Sequence, residues 1–198
     1  MDVAALILAG GQSTRMGGGD KPLLELDGRP IIAHVIERLA PQATYMAINA
    51  NGDGSRYAPF GLPVISDHLP DFPGPLAGVQ AGLTWAAKRG ANALLTIAAD
   101  TPFFPQDLTA RMVAAADANI VVASSAGRMH PTFALWPLGA AEQLDAYLAT
   151  GERRVLGFIE QGPHCAVDFP VEPIDPFFNI NRPEDLAEAR RLVETVMP

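Results

Sequence analysis

The chain has 198 residues, of which 48% are hydrophobic and 18% charged, as expected for one soluble globular domain. Its formal net charge of -8 excludes a general affinity for nucleic acid, because phosphate backbones are held mainly by clustered lysines and arginines. A single cysteine, Cys165, excludes an internal disulfide framework and a CxxC metal or redox motif. We therefore expect no nucleic-acid partner and a reducing compartment.

The first residues indicate a cytoplasmic protein. MDVAALILAGG contains the acidic Asp2 and only a short apolar run, so it lacks the basic start of a signal peptide. No apolar stretch approaches the roughly 18 residues that a membrane span needs. A cytoplasmic location without membrane contact is therefore expected.

The apolar pattern predicts strands that alternate with helices. Residues 3–8 are typical of a strand buried on both faces, and Pro30 is expected in the first turn of the following helix. Further strands are predicted at 45–50, 62–66, 93–100, 119–125 and 132–136, and helices at 31–39, 75–90 with Gly90 as the stop, 105–116, 138–149, 153–161 and 182–196. This order predicts an α/β protein, a single-domain Rossmann-like three-layer α/β/α fold with a mostly parallel mixed sheet. Such sheets bind ligands at the carboxyl ends of their strands.

A glycine-rich loop follows the first strand, where this fold would place a ligand. ILAGGQSTRMGGGDKPLLELDG at residues 7–28 has five glycines before Lys21, yet it matches neither the P-loop nor the G-x-G-x-x-G fingerprint. Glycines let backbone N–H groups approach anionic oxygens, while Arg15 offers a planar fork and Lys21 a point charge. The structural alternative is a mobile surface turn with solvated charges.

The same segment resembles a known signature. LAGGQSTRMGGGDKPLLELDGRPII is similar to LAGGxSxRMGxxKxLLxLxGxPLI of the molybdenum cofactor guanylyltransferases, the MobA family. Similar segments follow: PGPLAG at 73–78, DTPFFPQDL at 100–108, HPTFALW at 130–136, GERRV at 151–155 and FFNINRPEDL at 177–186. The resemblance covers essentially the whole chain, and its last two segments make it specific, since several sugar and polyol nucleotidyltransferases share the first. One departure is Ala98-Ala99 before Asp100, where the family usually has Pro-Cys.

The resemblance implies a nucleotidyltransferase fold and transfer of GMP from GTP to Mo-molybdopterin, which yields molybdopterin guanine dinucleotide and pyrophosphate. An acceptor phosphate with a second pKa of about 6 is largely ionised at pH 7 and needs no side-chain base. Catalysis then depends on positive charge beside the phosphates. The expected catalytic residues are Arg15 and Lys21, which carry that charge, and Asp100, which would be the ligand of a Mg2+ cofactor. From the residues alone, Asp100 or Thr101 could equally cap a helix.

The first part of the chain, about residues 1–105, is expected to bind GTP. LAGG favours guanine, because the similar cytidylyltransferases tend to have LAAG. Asn49 and Asp67 match GTP-contacting positions of the family, although either could be a turn residue. The expected GTP-binding residues are Leu8, Ala9, Gly10, Gly11, Lys21, Asn49, Asp67 and Asp100.

The second part, about residues 106–198, is expected to bind molybdopterin. Arg153 and Arg154 stand at a predicted helix start, where cations and free N–H groups could receive a phosphate. Asn179 and Asn181 alternate along NIN on one face of an extended segment, although NINRPED could also be a strand exit and helix cap. His130 could line the site, but a lone histidine is more often structural.

A monomer is expected, with transient contacts to molybdenum-insertion, GTP-binding accessory and apo-molybdoenzyme proteins. Residues 12–20 are expected to be mobile without nucleotide and to close on binding. Two alternatives stay open: a cytidylyltransferase or sugar-phosphate nucleotidyltransferase of the same fold, and a catalytically silent nucleotide sensor.

Overall fold

A computed structural model of the chain describes residues 1–10, 20–68, 74–117 and 119–196. The strands of these residues are β1 (Val3–Leu8), β2 (Glu25–Leu26), β3 (Arg29–Pro30), β4 (Tyr45–Asn49), β5 (Val64–Ile65), β6 (Ala93–Ala98), β7 (Ile120–Ser125), β8 (Arg128–Pro137) and β9 (His164–Asp168). The α-helices are α1 (Ile31–Leu39), α2 (Pro75–Lys88), α3 (Leu108–Ala114), α4 (Ala140–Ala149), α5 (Val155–Ile159) and α6 (Pro183–Val196). Short 3-10 turns cover Lys21–Leu23, Ala40–Gln42 and Gly54–Phe60.

Seven strands form one mixed sheet in the order β5-β4-β1-β6-β8-β7-β9. Only β8 runs against its neighbours in this sheet, since it is antiparallel to both β6 and β7 while the other pairs are parallel. The mostly parallel sheet predicted from the sequence is confirmed. The chain passes from β1 to β4 on one side and returns to β6 on the other, so β1 and β6 flank the switch point where α/β sheets bind ligands.

Alternate residues of the central strands face two helical layers. Ile7 of β1 belongs to a core cluster with side chains of α1 and α3, whereas Leu6 belongs to a cluster with side chains of α2, α4 and α5. All six residues of β6 are buried, as expected for a strand covered on both faces. The predicted three-layer α/β/α arrangement is therefore confirmed.

A third, smaller cluster packs α6 and the β2–β3 hairpin beside Phe103. Asp27 and Gly28, both with positive φ, form the two-residue turn of this hairpin, the conformation that an Asp-Gly pair favours. Pro30 lies in β3 and precedes α1, so the expectation that it sits in the first helical turn is wrong. The hairpin and α6 bring Lys21 and Asn181, which flank them in the chain, to the carboxyl edge of the sheet.

Element ends differ from the sequence-based expectation where apolar periodicity is weak. Strand β9 escaped prediction because its alternating residues are only half-buried at the edge of the sheet. Helix α3 begins at Leu108 rather than at residue 105, because residues 105–107 form a turn. Helix α5 has five residues instead of the nine expected. In the part of the chain that the structure describes, no helix combines the length and apolarity that crossing a bilayer requires.

Candidate active site

Three polar side chains from distant parts of the chain meet at the carboxyl edge of the sheet. The Lys21 ammonium donates to Asp100 Oδ2 at 2.8 Å and to Asn181 Oδ1 at 2.7 Å. The Lys21 and Asp100 side chains are only 16% and 18% exposed, so Lys21 is not a solvated surface charge. The structure thus brings together the lysine and the carboxylate that the sequence predicts to be catalytic.

Neighbouring backbone bonds hold this cluster in place. The Ile180 amide donates to the Asp100 carbonyl oxygen at 3.0 Å, which joins the end of β6 to the segment before α6. The Asp185 carboxylate accepts from the Asn181 and Arg182 amides at 2.8 and 2.9 Å and so closes the first turn of α6. Because the next helix after Asp100 begins only at Leu108, Asp100 does not serve as a helix cap.

The Asp100 carboxylate fits the requirements of a magnesium ion that is shared with a substrate. Its Oδ1 has a single, long contact of 3.5 Å to the Thr101 hydroxyl, while Oδ2 is occupied by Lys21. Among residues 1–10, 20–68, 74–117 and 119–196, no group of three or more His, Cys, Asp or Glu side chains could cage a metal. Mg2+ usually takes one or two carboxylates together with phosphates and water, and a lone carboxylate suits that mode.

A cavity of about 300 Å³ lies at the ends of β1 and β4, and its lining includes Asp20, the residue before Lys21. Its wall from β1 includes Leu8, Ala9 and Gly10, three of the predicted GTP-binding residues. The Ala9 amide donates to the Asn49 carbonyl at 2.9 Å, which continues the pairing of the two strands into the cavity wall. The remaining lining residues are Asp20, Asn49, Asn51, Arg56, Asp67, Gly74 and Pro75.

A network of amides fixes the Asp67 carboxylate in this cavity. Asn49 Nδ2 donates to Asp67 Oδ1 at 2.8 Å and to the Ile65 carbonyl at 3.0 Å, and Asn51 Nδ2 donates to Asp67 Oδ2 at 2.7 Å. The Asp67 amide donates back to Asn51 Oδ1 at 2.9 Å. Asn49 is 3% exposed and its side chain is hydrogen-bonded to Asp67. The two residues therefore belong to one part-buried network and are not isolated turn residues.

Helix α2 approaches this network closely at Gly78. A Cβ at this position would overlap Asn49 Oδ1 and would lie 2.9 Å from Asn49 Cγ and 3.0 Å from Leu8 Cδ2. Only glycine therefore lets the first turns of α2 pack against the Asn49 amide without displacing it. The PGPLAG segment contributes to the site through this close packing.

Arg56 and Asp20 also line the cavity. Arg56 Nε lies 2.7 Å from Asp20 Oδ2, and the guanidinium also donates to the backbone carbonyls of Asp53 at 2.6 Å and Asn51 at 3.1 Å. Sequence reasoning missed Asn51, Arg56 and Asp20. The alternation of Asn49 and Asn51 along AINAN was the available signal for Asn51, whereas nothing in the local pattern marked Arg56.

Gly11, Arg15 and the rest of the glycine loop up to residue 19 lie outside the described residues. The expected closure of residues 12–20 falls mostly on that segment. Lys21, which follows it directly, opens a 3-10 turn with Pro22 at its start.

Arg153 and Arg154 occupy the exposed link between α4 and α5. The Arg153 guanidinium donates to the carbonyls of Leu148 at 2.9 Å and Glu152 at 2.8 Å, and so satisfies the end of α4.

Asn179 Oδ1 is buried without a hydrogen-bond partner among the described residues. Asn181, predicted to bind molybdopterin, contacts Lys21 of the predicted GTP-binding half.

A second polar cluster joins Ser125, His130 and Asp175. Ser125 Oγ donates to Asp175 Oδ1 at 2.9 Å, and because a hydroxyl has one proton, His130 Nε2 must donate to Ser125 Oγ at 2.7 Å. The order differs from a catalytic triad, in which the acid orients the histidine, and Ser125 is 1% exposed. Burial lowers the pKa of His130, an effect that Asp175 opposes and Arg128 reinforces. The His130 ring stacks on Phe177 with centroids 4.4 Å apart.

The fold and the site define an enzyme class: the chain is a nucleotidyltransferase. A family model described as a MobA-like NTP transferase domain matches residues 5–165. A molybdenum cofactor guanylyltransferase from Rhodopseudomonas palustris is 53% identical over 95% of this chain and 92% of its own length. One from Mesorhizobium japonicum is 49% identical over 98% of both chains. The chain belongs to the molybdenum cofactor guanylyltransferase family.

A solved structure supports the fold independently of the sequence. Molybdopterin-guanine dinucleotide biosynthesis protein A from Archaeoglobus fulgidus superposes with a TM-score of 0.73, covering 98% of this chain and 100% of that one. Its sequence identity is 24%, so the similarity concerns the α/β architecture.

Proposed function

We propose that the chain transfers GMP from GTP to Mo-molybdopterin, forming molybdopterin guanine dinucleotide and pyrophosphate. The observation that carries the proposal is the Lys21–Asp100 ion pair at the carboxyl edge of the sheet, together with the cavity at the same edge that is lined by Leu8, Ala9 and Gly10. Relatives at about half sequence identity carry the name of this activity. Membership of that family supports the reaction, and the site supplies the charges that it needs.

The cavity is suited to a guanine base. Guanine presents two adjacent donor groups, the ring N1–H and the exocyclic amine, to a single acceptor. Each oxygen of the Asp67 carboxylate already accepts one amide proton and keeps a further lone pair, so the carboxylate can receive both donors. Cytosine presents one amine beside acceptor atoms, and those acceptors would face the negative carboxylate without a proton between them. Asp67 therefore favours GTP over CTP.

The chemistry depends on positioning and on charge. The reaction is an in-line attack on the α-phosphorus by the terminal phosphate of molybdopterin, which is ionised at neutral pH and needs no base. Lys21 would offset charge that develops on the pyrophosphate leaving group, and Arg15 would assist it. Asp100 would hold Mg2+, which when bound neutralises phosphate charge.

The two parts of the chain would serve different substrates. Residues 1–105 would bind GTP through the cavity, and residues 106–198 would bind molybdopterin through Arg153, Arg154, Asn179 and Asn181. The formal net charge of the chain is -8, so the protein as a whole does not attract anions. Both anionic substrates would therefore be attracted by local lysine and arginine side chains. We further propose a cytoplasmic monomer that meets its molybdenum-insertion, GTP-binding and apo-molybdoenzyme partners transiently.

Reconstitution tests the proposal. The purified chain is incubated with GTP, Mg2+ and Mo-molybdopterin, and the dinucleotide and pyrophosphate are quantified. We expect turnover that requires all three components and that falls on the order of a hundredfold or more in Asp100→Asn. Asp107→Asn, the same chemical change at an exposed residue outside the site, is the matched control. GTP binding without turnover under any of these conditions would instead indicate a nucleotide sensor and refute the proposal.

A further inference from the structure

The ammonium of Lys21 is shared between two acceptors that come from opposite halves of the chain. Asp100 Oδ2 belongs to the end of β6, and Asn181 Oδ1 belongs to the segment that precedes α6. An ammonium group has three N–H donors, and two of them are used by these contacts within the described residues. Lys21 is therefore held by acceptors from both halves of the chain.

The two acceptors differ in what nucleotide binding requires of them. A metal held by Asp100 would compete with Lys21 for the same carboxylate and so would weaken the Lys21–Asp100 bond. The Asn181 amide is neutral and has no comparable affinity for Mg2+. Its oxygen would therefore keep the lysine in place if Asp100 held a cation.

The backbone makes Asn181 a rigid support. Its amide donates to the Asp185 carboxylate at 2.8 Å, and the neighbouring Ile180 amide donates to the Asp100 carbonyl at 3.0 Å. The backbone that carries the Asn181 side chain is thus tied both to the start of α6 and to the residue that would hold the metal. A long lysine side chain loses conformational entropy when it is fixed in one position. If Asn181 already fixes the side chain, less of this entropy is lost when GTP binds, and GTP binds more tightly.

We propose that Asn181 is a positioning residue for Lys21 and thereby contributes to binding of the GTP phosphates, in addition to any contact with the second substrate. This inference rests on the proposed function. It gives Asn181 a role toward GTP beside the role proposed for it toward molybdopterin. It also predicts that GTP affinity depends on Asn181 when molybdopterin is absent.

The test is a GTP titration with Mg2+ and without molybdopterin, followed by calorimetry, on wild type, Asn181→Ala and Asn179→Ala. Loss of a hydrogen bond to a charged group is expected to raise the Kd of Asn181→Ala about fivefold to tenfold. Asn179→Ala is the matched control on the same segment, because Asn179 Oδ1 makes no hydrogen bond with the described residues. We expect its GTP affinity to stay within about twofold of wild type, although its transfer activity falls.

A double-mutant cycle separates positioning from a general structural effect. In a Lys21→Ala background, adding Asn181→Ala should cost no further GTP affinity, because the lysine that Asn181 holds is gone. Additive losses, or an Asn181→Ala affinity equal to that of wild type, would overturn the inference. Asn181→Ser is measured alongside, so that poor folding of the alanine variant does not decide the result. Failure of wild type to bind GTP would refute the proposed function instead.

Discussion

Gly78→Ala should lower both the stability of the protein and its affinity for GTP. The packing of α2 gives the size of the stability loss. The added methyl group would overlap Asn49 Oδ1 and lie 2.9 Å from Asn49 Cγ, so the amide must move or the helix must shift. Overpacking of this kind costs about 1–3 kcal/mol, and displacement of the amide weakens its bonds to Ile65 and Asp67, at about 1 kcal/mol each. Better helix propensity returns about 1 kcal/mol. A net loss of roughly 2–4 kcal/mol in the free energy of unfolding follows.

Gly82→Ala is the control one turn further along the same helix. Its methyl group would meet only apolar atoms, with Leu6 Cδ2 at 2.6 Å and Leu94 Cδ2 at 2.9 Å. We expect a loss of stability in urea unfolding of about 0–2 kcal/mol, after the same gain in helix propensity, and GTP affinity within about threefold of wild type. Gly78→Ala should weaken GTP binding about tenfold or more, because Asp67 loses its fixed amide partner. Equal GTP affinities for the two folded variants would refute the role assigned to the Asn49–Asp67 network.

Three further outcomes are expected. Asp67→Asn should lower kcat/KM for GTP about tenfold or more while CTP activity does not fall, because one acceptor becomes a donor; steady-state kinetics with both nucleotides measure it. Arg56→Ala should raise the Kd for GTP a few-fold, yet change the urea midpoint little, since its partly exposed pair with Asp20 contributes about 1 kcal/mol or less. The lowered pKa of His130 means that the unfolded chain takes up a proton more readily than the folded one, so stability falls as pH drops below about 6.5. His130→Gln should flatten that part of the pH profile of urea unfolding, and an unchanged slope would contradict the assignment.

The sequence predicted the position of a site residue best where that residue follows a strand with a clear apolar pattern. Lys21 and Asp100 follow β1 and β6, whose continuous apolar runs indicate parallel strands, and the carboxyl ends of such strands share one edge. Asn49 and Asp67 could be placed in the same way, because β4 and β5 pair next to β1. Local pattern made Lys21 and Asp100 candidates, whereas Asn49 and Asp67 were predicted from the family resemblance, because each alone could be a turn residue.

The remaining contacts depend on tertiary packing that leaves no periodic signal. Arg56 reaches Asp20 from an irregular 3-10 segment, and its partner could not be read from spacing. The contact between Asn181 and Lys21 requires α6 and the β2–β3 hairpin to pack on each other across 160 residues of chain. Edge strand β9 has no fully buried residue, so its sequence lacks the strong apolar run that marks the central strands.

The identity of the nucleotide tests the central claim most directly. Pyrophosphate release is measured with GTP, CTP, ATP and UTP in turn, each with Mg2+ and Mo-molybdopterin, and the product is identified by mass. We expect turnover with GTP and a molybdopterin guanine dinucleotide product, because the Asp67 carboxylate matches the paired donors of guanine. Turnover with CTP or UTP and none with GTP would contradict the assignment of both the cavity and the reaction.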